Sequence, residues 1–387
     1  MQQDDEDDDL WERMAAEQAA DDQRKAEPAP ALSGDDFLAW RSPRRPSVHA
    51  MRLDNRLWQW LVRTRWDGFN ANNIYSGPSP FDAGPMWCFQ RFGKSETVLH
   101  DGRVIHIAGE HEDSYDPDFY IYNDVTVIGT DGQIAIYGYP AEDFPPTDFH
   151  SATQIGDEIF IVGSLGYPDQ RKVGETPVYA LDVGSMRIRK VSTYGQSPGW
   201  IHEHSAKLAE DGMTLVIAGG DRWMGDPFPL VENIDEWALD SVTGEWRRLT
   251  KRDWAHWVTL RVDRERSRIR DVRSEWWNER HAHLGMKSYW HYEDAPDFGA
   301  LEKLYRVDAD APPLVEGSDY NRYVVEIDGV KVRFRENSSW VEAIVEGQLE
   351  AERLQALQQE TLATIERLEG TACEILDARS PPEEGSR

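Results

Sequence analysis

The sequence predicts a mainly β chain of repeated four-stranded units, followed by a small α+β unit, and three observations carry that reading. First, HSATQIGDEIFIVG from residue 150 returns 54 residues later as HSAKLAEDGMTLVIAGG, and ETVLHDGRVIHIAGE from residue 96 lies over both. Each is a strand, a tight Gly turn and an apolar strand ending on glycine. Second, each continues through a long polar connection into another strand–turn–strand pair: NDVTVIGTDGQIAIYG from 123, TPVYALDVGSMRIRKV from 176 and NIDEWALDSVTGEWRRLT from 233. Four strands repeating at this period are the unit of a β-propeller blade. Third, YVVEIDGVKVRFR from 323 alternates about Asp328-Gly329, a hairpin signal outside the repeat.

In the third unit, Gly219-Gly220 closes the second strand, Leu239-Asp240 closes the third and Trp246 follows the turn; Leu181-Asp182 repeats part of this in the second unit. On these residues the chain resembles the kelch-repeat, galactose-oxidase-like propeller family over about residues 96–250. The resemblance implies a kelch-like partial or small β-propeller with three clear blades. Gly109-Glu110 and Gly163-Ser164 replace two of the doublets, and Ile134 and Met186 stand at the Trp position of the other units. A sandwich of hairpins is the competing all-β reading.

The remaining elements follow in chain order. Residues 1–36 carry thirteen Asp/Glu against three Lys/Arg, and 1–46 reads as a disordered acidic tail and a Pro-bearing linker, with an acidic docking arm as the alternative. Within 47–95, apolar residues from Leu57 to Phe69 recur at three and four, predicting one helix over Asn55–Phe69. Trp58 and Trp66 are expected as core anchors there. An ordered loop follows over 76–90. The repeat region, 96–273, includes a degenerate fourth unit beginning near His256, with its second strand near Arg268–Arg273. A helical and irregular connector spans 274–319. Residues 320–378 are expected as hairpin, third strand at Trp340–Val345, helix over Glu350–Glu369 stopped by Gly370, and a returning strand at Ala372–Leu376. Residues 379–387 read as a second tail.

Composition narrows the function classes. The formal charge is −29 over 387 residues, which repels a phosphate backbone and argues against nucleic-acid binding. Only two cysteines are present, and neither an apolar leader nor a membrane-length run appears, so a soluble cytoplasmic protein with no membrane contact is expected. No phosphate loop, dinucleotide fingerprint or nucleophile elbow appears. The kelch fold also houses a copper-radical oxidase and a sialic-acid epimerase, but Cys88 and Cys373 lie outside the units, away from any place equivalent to the oxidase's Cys-linked Tyr.

In a four-stranded blade, the connection between strands two and three and the connection into the next blade share one end. The long loops of this sequence therefore gather on one rim, where binding residues usually sit. The expected ligand or partner site there is acidic and aromatic: Glu110, His111, Glu112, Asp113, Asp116, Asp118, Asp148, His150, Tyr167, Trp200, His202, Glu203, His204 and Trp223, with Tyr115 and Phe149 beside them. Such a surface suits a protein partner, a cationic peptide or a saccharide. The leading expectation is a binding or interaction module without a cofactor; the alternative is a carbohydrate-active propeller enzyme using carboxylates such as Glu112 or Glu203. Two ion sites are suggested. His150, His202 and His204 have the chemistry to hold a divalent metal, yet a histidine opening the inner strand belongs to the repeat, which favours packing or hydrogen bonding. HEDSYDPD offers oxygens for calcium but lacks EF-hand spacing. Three blades leave open ends, so a homodimer is expected to cover them.

Overall fold

The computed structural model describes residues 2–111, 119–225, 230–306, 312–315 and 321–379. The chain is mainly β and divides into two compact units, residues 1–222 with 232–250, and residues 223–231 with 251–387. Among the described residues the sheets are open, and none closes into a barrel.

In the first unit the three predicted repeats are three antiparallel meanders. The first runs Ser95–Val98, Val104–Ile107, Val125–Ile128 and Ile134–Gly138; the second Ser151–Ile155, Glu158–Val162, Val178–Asp182 and Ile188–Lys190; the third Ser205–Leu208, Thr214–Ala218, Trp237–Asp240 and Glu245–Arg248. The first strands of the three neighbour one another in order. Short extra strands extend two outer edges: Met51–Arg52 pairs antiparallel with Ile134–Gly138, and Tyr194–Gly195 pairs parallel with Glu245–Arg248.

The cores explain the strand patterns. Side chains alternate sides along a strand, so Ile159 and Ile161 join Ile105, Ile107 and Val125 of the first meander in one cluster. Phe160 and Val162, on the opposite face, join Leu215, Ile217 and Trp237 of the third. The middle meander is thus buried on both faces, which is why EIFIV reads as an unbroken apolar run. The outer face of the first meander, through Ile134 and Ile136, packs on Leu57, Trp58, Trp60 and Leu61.

Those last residues lie on a shorter helix than expected. It spans Arg56–Thr64, Arg65 takes a left-handed conformation, and a separate helix Gly68–Ile74 starts at Asp67, whose side chain accepts the Asn70 N–H. The break puts Phe69 in solvent while Trp58 and Trp60 stay buried. The N-terminal segment also differs from expectation. Gln2–Lys25 is helical, not disordered, and within the expected linker Gly34–Trp40 is a helix capped by Ser33. The end of the first helix is fixed because the Glu27 carboxylate pairs with Arg63 and the Glu27 carbonyl accepts from Trp60.

The second unit is a six-stranded antiparallel sheet in the order Leu314–Val315, Arg322–Ile327, Val330–Glu336, Trp340–Glu346, His256–Arg261, Cys373–Asp377. Here the fourth repeat unit is corrected. His256–Arg261 pairs with Trp340–Glu346 and Cys373–Asp377, and the expected second strand is instead the start of the helix Ile269–Arg280. A histidine at about the repeat spacing says nothing of the distant strands with which it pairs. The hairpin, third strand, helix Ala351–Glu369 and returning strand stand where expected, with Leu357, Ile365 and Leu368 packed on Trp257, Val341 and Val345. Within the connector, only Phe298–Leu301 and a 3-10 turn at Ala282–Leu284 add helix among the described residues. No helix among the described residues is long and apolar enough to cross a membrane.

Candidate functional site

The recurring His-Ser-Ala begins the second and third inner strands, and Lys94-Ser95 begins the first, with the same construction. The residue before that histidine is left-handed, Phe149 at φ 48° and Glu203 at 54°, and so is Gly93 at 59° before Lys94, which takes the histidine's place in the first meander. That turn lets backbones of successive repeats meet. Phe149 N–H donates to the Gly93 carbonyl and Glu203 N–H to the Phe149 carbonyl, both at 2.8 Å. Gly93 is required at the first of these positions, because a Cβ there would lie 2.4 Å from Phe149 N. The next residue then reaches back one repeat. His150 Nε2 is 2.8 Å from Ser95 Oγ, and His204 Nε2 is 2.8 Å from Ser151 Oγ. Burial pushes these imidazoles down, His150 to about 3 and His204 to about 4, so both are neutral near pH 7. Lys94 stands at the equivalent place in the first meander, where its amine donates to the Phe89 carbonyl and burial lowers it to about 8.

These latches bear on the metal reading. His150 and His204 each spend one nitrogen on a serine of the previous repeat, and His202 is buried edge-on to Phe149. No group of three His, Cys, Asp or Glu able to hold a metal is present among the described residues. The stretch suggested for calcium, with Glu112, Asp113, Tyr115, Asp116 and Asp118, lies outside the described residues.

Where the long connections meet, the first unit carries a cavity of about 330 Å3. Its lining comes from the connection between the first two meanders (Ala141, Pro145, Pro146, Thr147), the long loop of the second (Ser164, Asp169, Gln170, Lys172, Glu175, Pro177), the second meander itself (Tyr179, Lys190) and Trp200. Trp200 is locked by its indole N–H on the Leu165 carbonyl, and Tyr179 is pushed up to about 12 by burial. Gln170, Lys172 and Lys190 are exposed at the mouth. Lys190 Nζ sits 2.7 Å and Lys172 Nζ 3.5 Å from Glu175, and the bond from Lys190 holds that carboxyl below its usual range. The described rim is therefore aromatic and charge-balanced, where the sequence suggested an acidic one.

Other expected site residues scatter. Asp148 is sealed from solvent and behaves as a structural carboxylate. It accepts from Gly166 N–H at 2.6 Å and from Ser164 Oγ, while burial raises its pKa. Glu110 and His111 form a two-residue strand against Tyr120–Ile121, with His111 Nδ1 3.2 Å from the Gln90 carbonyl. The Tyr167 hydroxyl accepts from Ile121 N–H, and its ring meets Phe119 edge-on. Glu203 is exposed on its left-handed turn. Trp223 is half-buried and falls in the second unit. Of the expected residues that are described, only Trp200 lines the cavity. The lysines, prolines and Tyr179 were missed because nothing local marks them: they converge from three separate connections.

The acidic charge also has a local explanation. Asp101, Asp131, Asp182, Asp211 and Asp240 sit in the short turns and accept backbone N–H groups two or three residues ahead. These carboxylates shape turns, and they need no partner. No family model matches this chain, and no curated protein matches it.

Proposed function

We propose that the three meanders are successive blades of a kelch-like partial propeller, and that this unit is a binding module whose partner docks on the long-connection rim. The observation that carries the reading is the cavity of about 330 Å3 framed by Tyr179, Trp200 and three prolines, with paired charges at its mouth. Aromatic and proline walls are rigid and suit an inserted apolar side chain; the surrounding donors and acceptors suit the peptide backbone beside it. The partner class is a protein segment with an apolar anchor and basic flanks, because the chain bears a net charge of −29. Blade-like stacking is supported by the neighbouring inner strands and the repeated His–Ser pairs. Of the carboxylates at this cavity, Glu175 is held by Lys190 and Lys172, and Asp148, behind Ser164, is enclosed, so binding rather than acid–base turnover is the reading we adopt.

Arrays of short peptides and of oligosaccharides, probed with the full chain and with Gln170→Trp, test this. Gln170 is exposed, so the larger side chain fills the mouth without entering the core. Expected are hits among basic peptides with an aromatic or aliphatic anchor, weakened at least tenfold by the substitution and by raised salt. Hits confined to saccharides, or peptide hits that Gln170→Trp leaves unchanged, overturn the proposal.

A further inference from the structure

The second unit contains a separate and larger cavity, about 400 Å3, between the helix Ile269–Arg280, the turn after Phe298–Leu301 and the strand Arg322–Ile327. Its depth is apolar: Leu301, Leu304, Tyr305 and Tyr323 line it, each less than a tenth exposed. A defect of this size would ordinarily be reduced by side chains relaxing inward. Here the walls are held apart. Tyr305 is stacked on Phe334 with centroids 4.2 Å apart, and its hydroxyl donates to Glu336 at 2.9 Å. The same carboxylate clamps Arg273 from two nitrogens, at 2.8 and 2.6 Å, and Arg273 lies 4.3 Å over the Tyr323 ring. The cavity is thus preformed, within the size range of small-molecule sites, roughly 300–1,000 Å3.

The mouth supplies the polarity. Trp277 stands there 45% exposed, an uncommon position for the largest aromatic side chain. Three charges line the cavity, and two are satisfied: Arg273 by Glu336, and Glu302 by Arg280 at 3.3 Å. The third, Arg306, is exposed and its guanidinium has neither an ion pair nor a hydrogen bond among the described residues, although the chain carries an excess of 29 negative charges. A cation without a partner among the described residues, at the lip of an aromatic, rigid cavity, selects a particular ligand chemistry. The geometry points to a binding site for a small aromatic monoanion, its ring system held among Leu304, Tyr305 and Trp277 and its negative group at Arg306.

Two fluorescent probes of nearly equal shape test this on the full chain: 1-anilinonaphthalene-8-sulfonate, which carries the charge, and N-phenyl-1-naphthylamine, which lacks it. Both are expected to bind saturably at one site per chain. Arg306→Gln should weaken the sulfonate about fivefold, the scale of one exposed charge contact, and change the neutral probe by less than twofold. Leu304→Trp should abolish both by filling the cavity. Because Leu304 is buried, Val315→Trp at the exposed lip serves as the second filling variant, with the melting curve recorded beside each titration. Dye binding that survives either filling in a chain that melts like the parent overturns the site. Arg306→Gln acting equally on both probes, or on neither, overturns the assignment of the anion.

Discussion

Both units bury ion pairs, Arg91 with Asp124 in the first, but the contacts that join the first unit's successive inner strands differ in kind from those of the second unit's sheet. Between the meanders of the first, the buried groups are neutral imidazoles set against hydroxyls, His150 on Ser95 and His204 on Ser151. In the second they are ions. Glu336 is clamped by Arg273, and Glu342, almost wholly buried, accepts from Arg335 and lies 2.6 Å from His256. A repeat can copy only contacts that need one small group from each neighbour, whereas a single sheet can recruit charges from sequence positions far apart. Glu336 and Arg273 are 63 residues apart, and His256 and Glu342 are 86 apart. The consequence is that the same stress, applied to the whole chain, should find different weak points in its two parts.

Acid is the strongest such stress. His106, His150 and His204 have folded values of about 4, 3 and 4, all below the ordinary 6.5, and burial is the first cause for each. A depressed folded value means the neutral form is the one the fold accepts. Stability is complete above about pH 6.5 and is lost as pH falls toward 4 and 3, because the unfolded chain takes up protons that the folded chain refuses. At pH 5 the loss is about 2 kcal/mol per histidine, or roughly 6 kcal/mol for three independent sites. Asp148 works in the opposite sense, since its carboxyl is raised by burial and is relieved on protonation. Hydrogen exchange followed from pH 7.5 to 4.5 should show amides of 151–190 and 205–248 losing protection before those of 322–346. Simultaneous loss in both units would erase the contrast.

The second unit should break at its ion pair instead. Glu336→Gln keeps the shape but strands Arg273 among Tyr305 and Tyr323 without its counter-charge. Loss of one partner of a buried pair costs about 3–5 kcal/mol, and the partial exposure of Arg273 brings the expectation to about 2–4 kcal/mol. The effect belongs to the second unit alone: protection in 322–346 should fall at pH 7 while that in 151–190 stays unchanged. A variant as stable as the parent would show that the Arg273–Glu336 contact is a surface-like pair of little weight.

What the sequence disclosed tracks this division. The meanders were legible because their signals are short-range: Gly turns at Asp101-Gly102 and Asp211-Gly212, apolar pairs, and glycines such as Gly163 at φ 76°, where a Cβ would strike the Ile201 carbonyl at 2.4 Å. The Asp328-Gly329 hairpin and the Gly370 helix stop were legible for the same reason. His256 misled because its neighbours in space, Ile344 and Asp377, are distant in sequence. The break at Arg65 was hidden by an apolar spacing that continues through it. Of the candidate cavity, Trp200 was visible as an aromatic in a long loop; Tyr179, Lys172 and Lys190 acquire meaning only once three connections converge.

The smallest effect distinguishes a recurring latch from ordinary packing. Ser151→Ala removes the partner of His204 Nε2 in a residue whose Nδ1 already lacks one, so an imidazole is left buried with both nitrogens unsatisfied. An unsatisfied buried group costs about 1–3 kcal/mol, and Ser151 is itself half-exposed, which favours the lower part of that range, about 1–2 kcal/mol. Replacing both partners by apolar groups can be nearly neutral. Ser151→Ala with His204→Phe should therefore recover most of the loss in urea denaturation, and it should also flatten the acid response of the first unit, since one of the three titrating sites is gone. The equivalent serine one repeat earlier supplies the control: Ser95→Ala should cost the same as Ser151→Ala to within about 0.5 kcal/mol. Unequal costs, or a double variant no better than the single, would mean that the His–Ser contacts are incidental to how one meander holds the next.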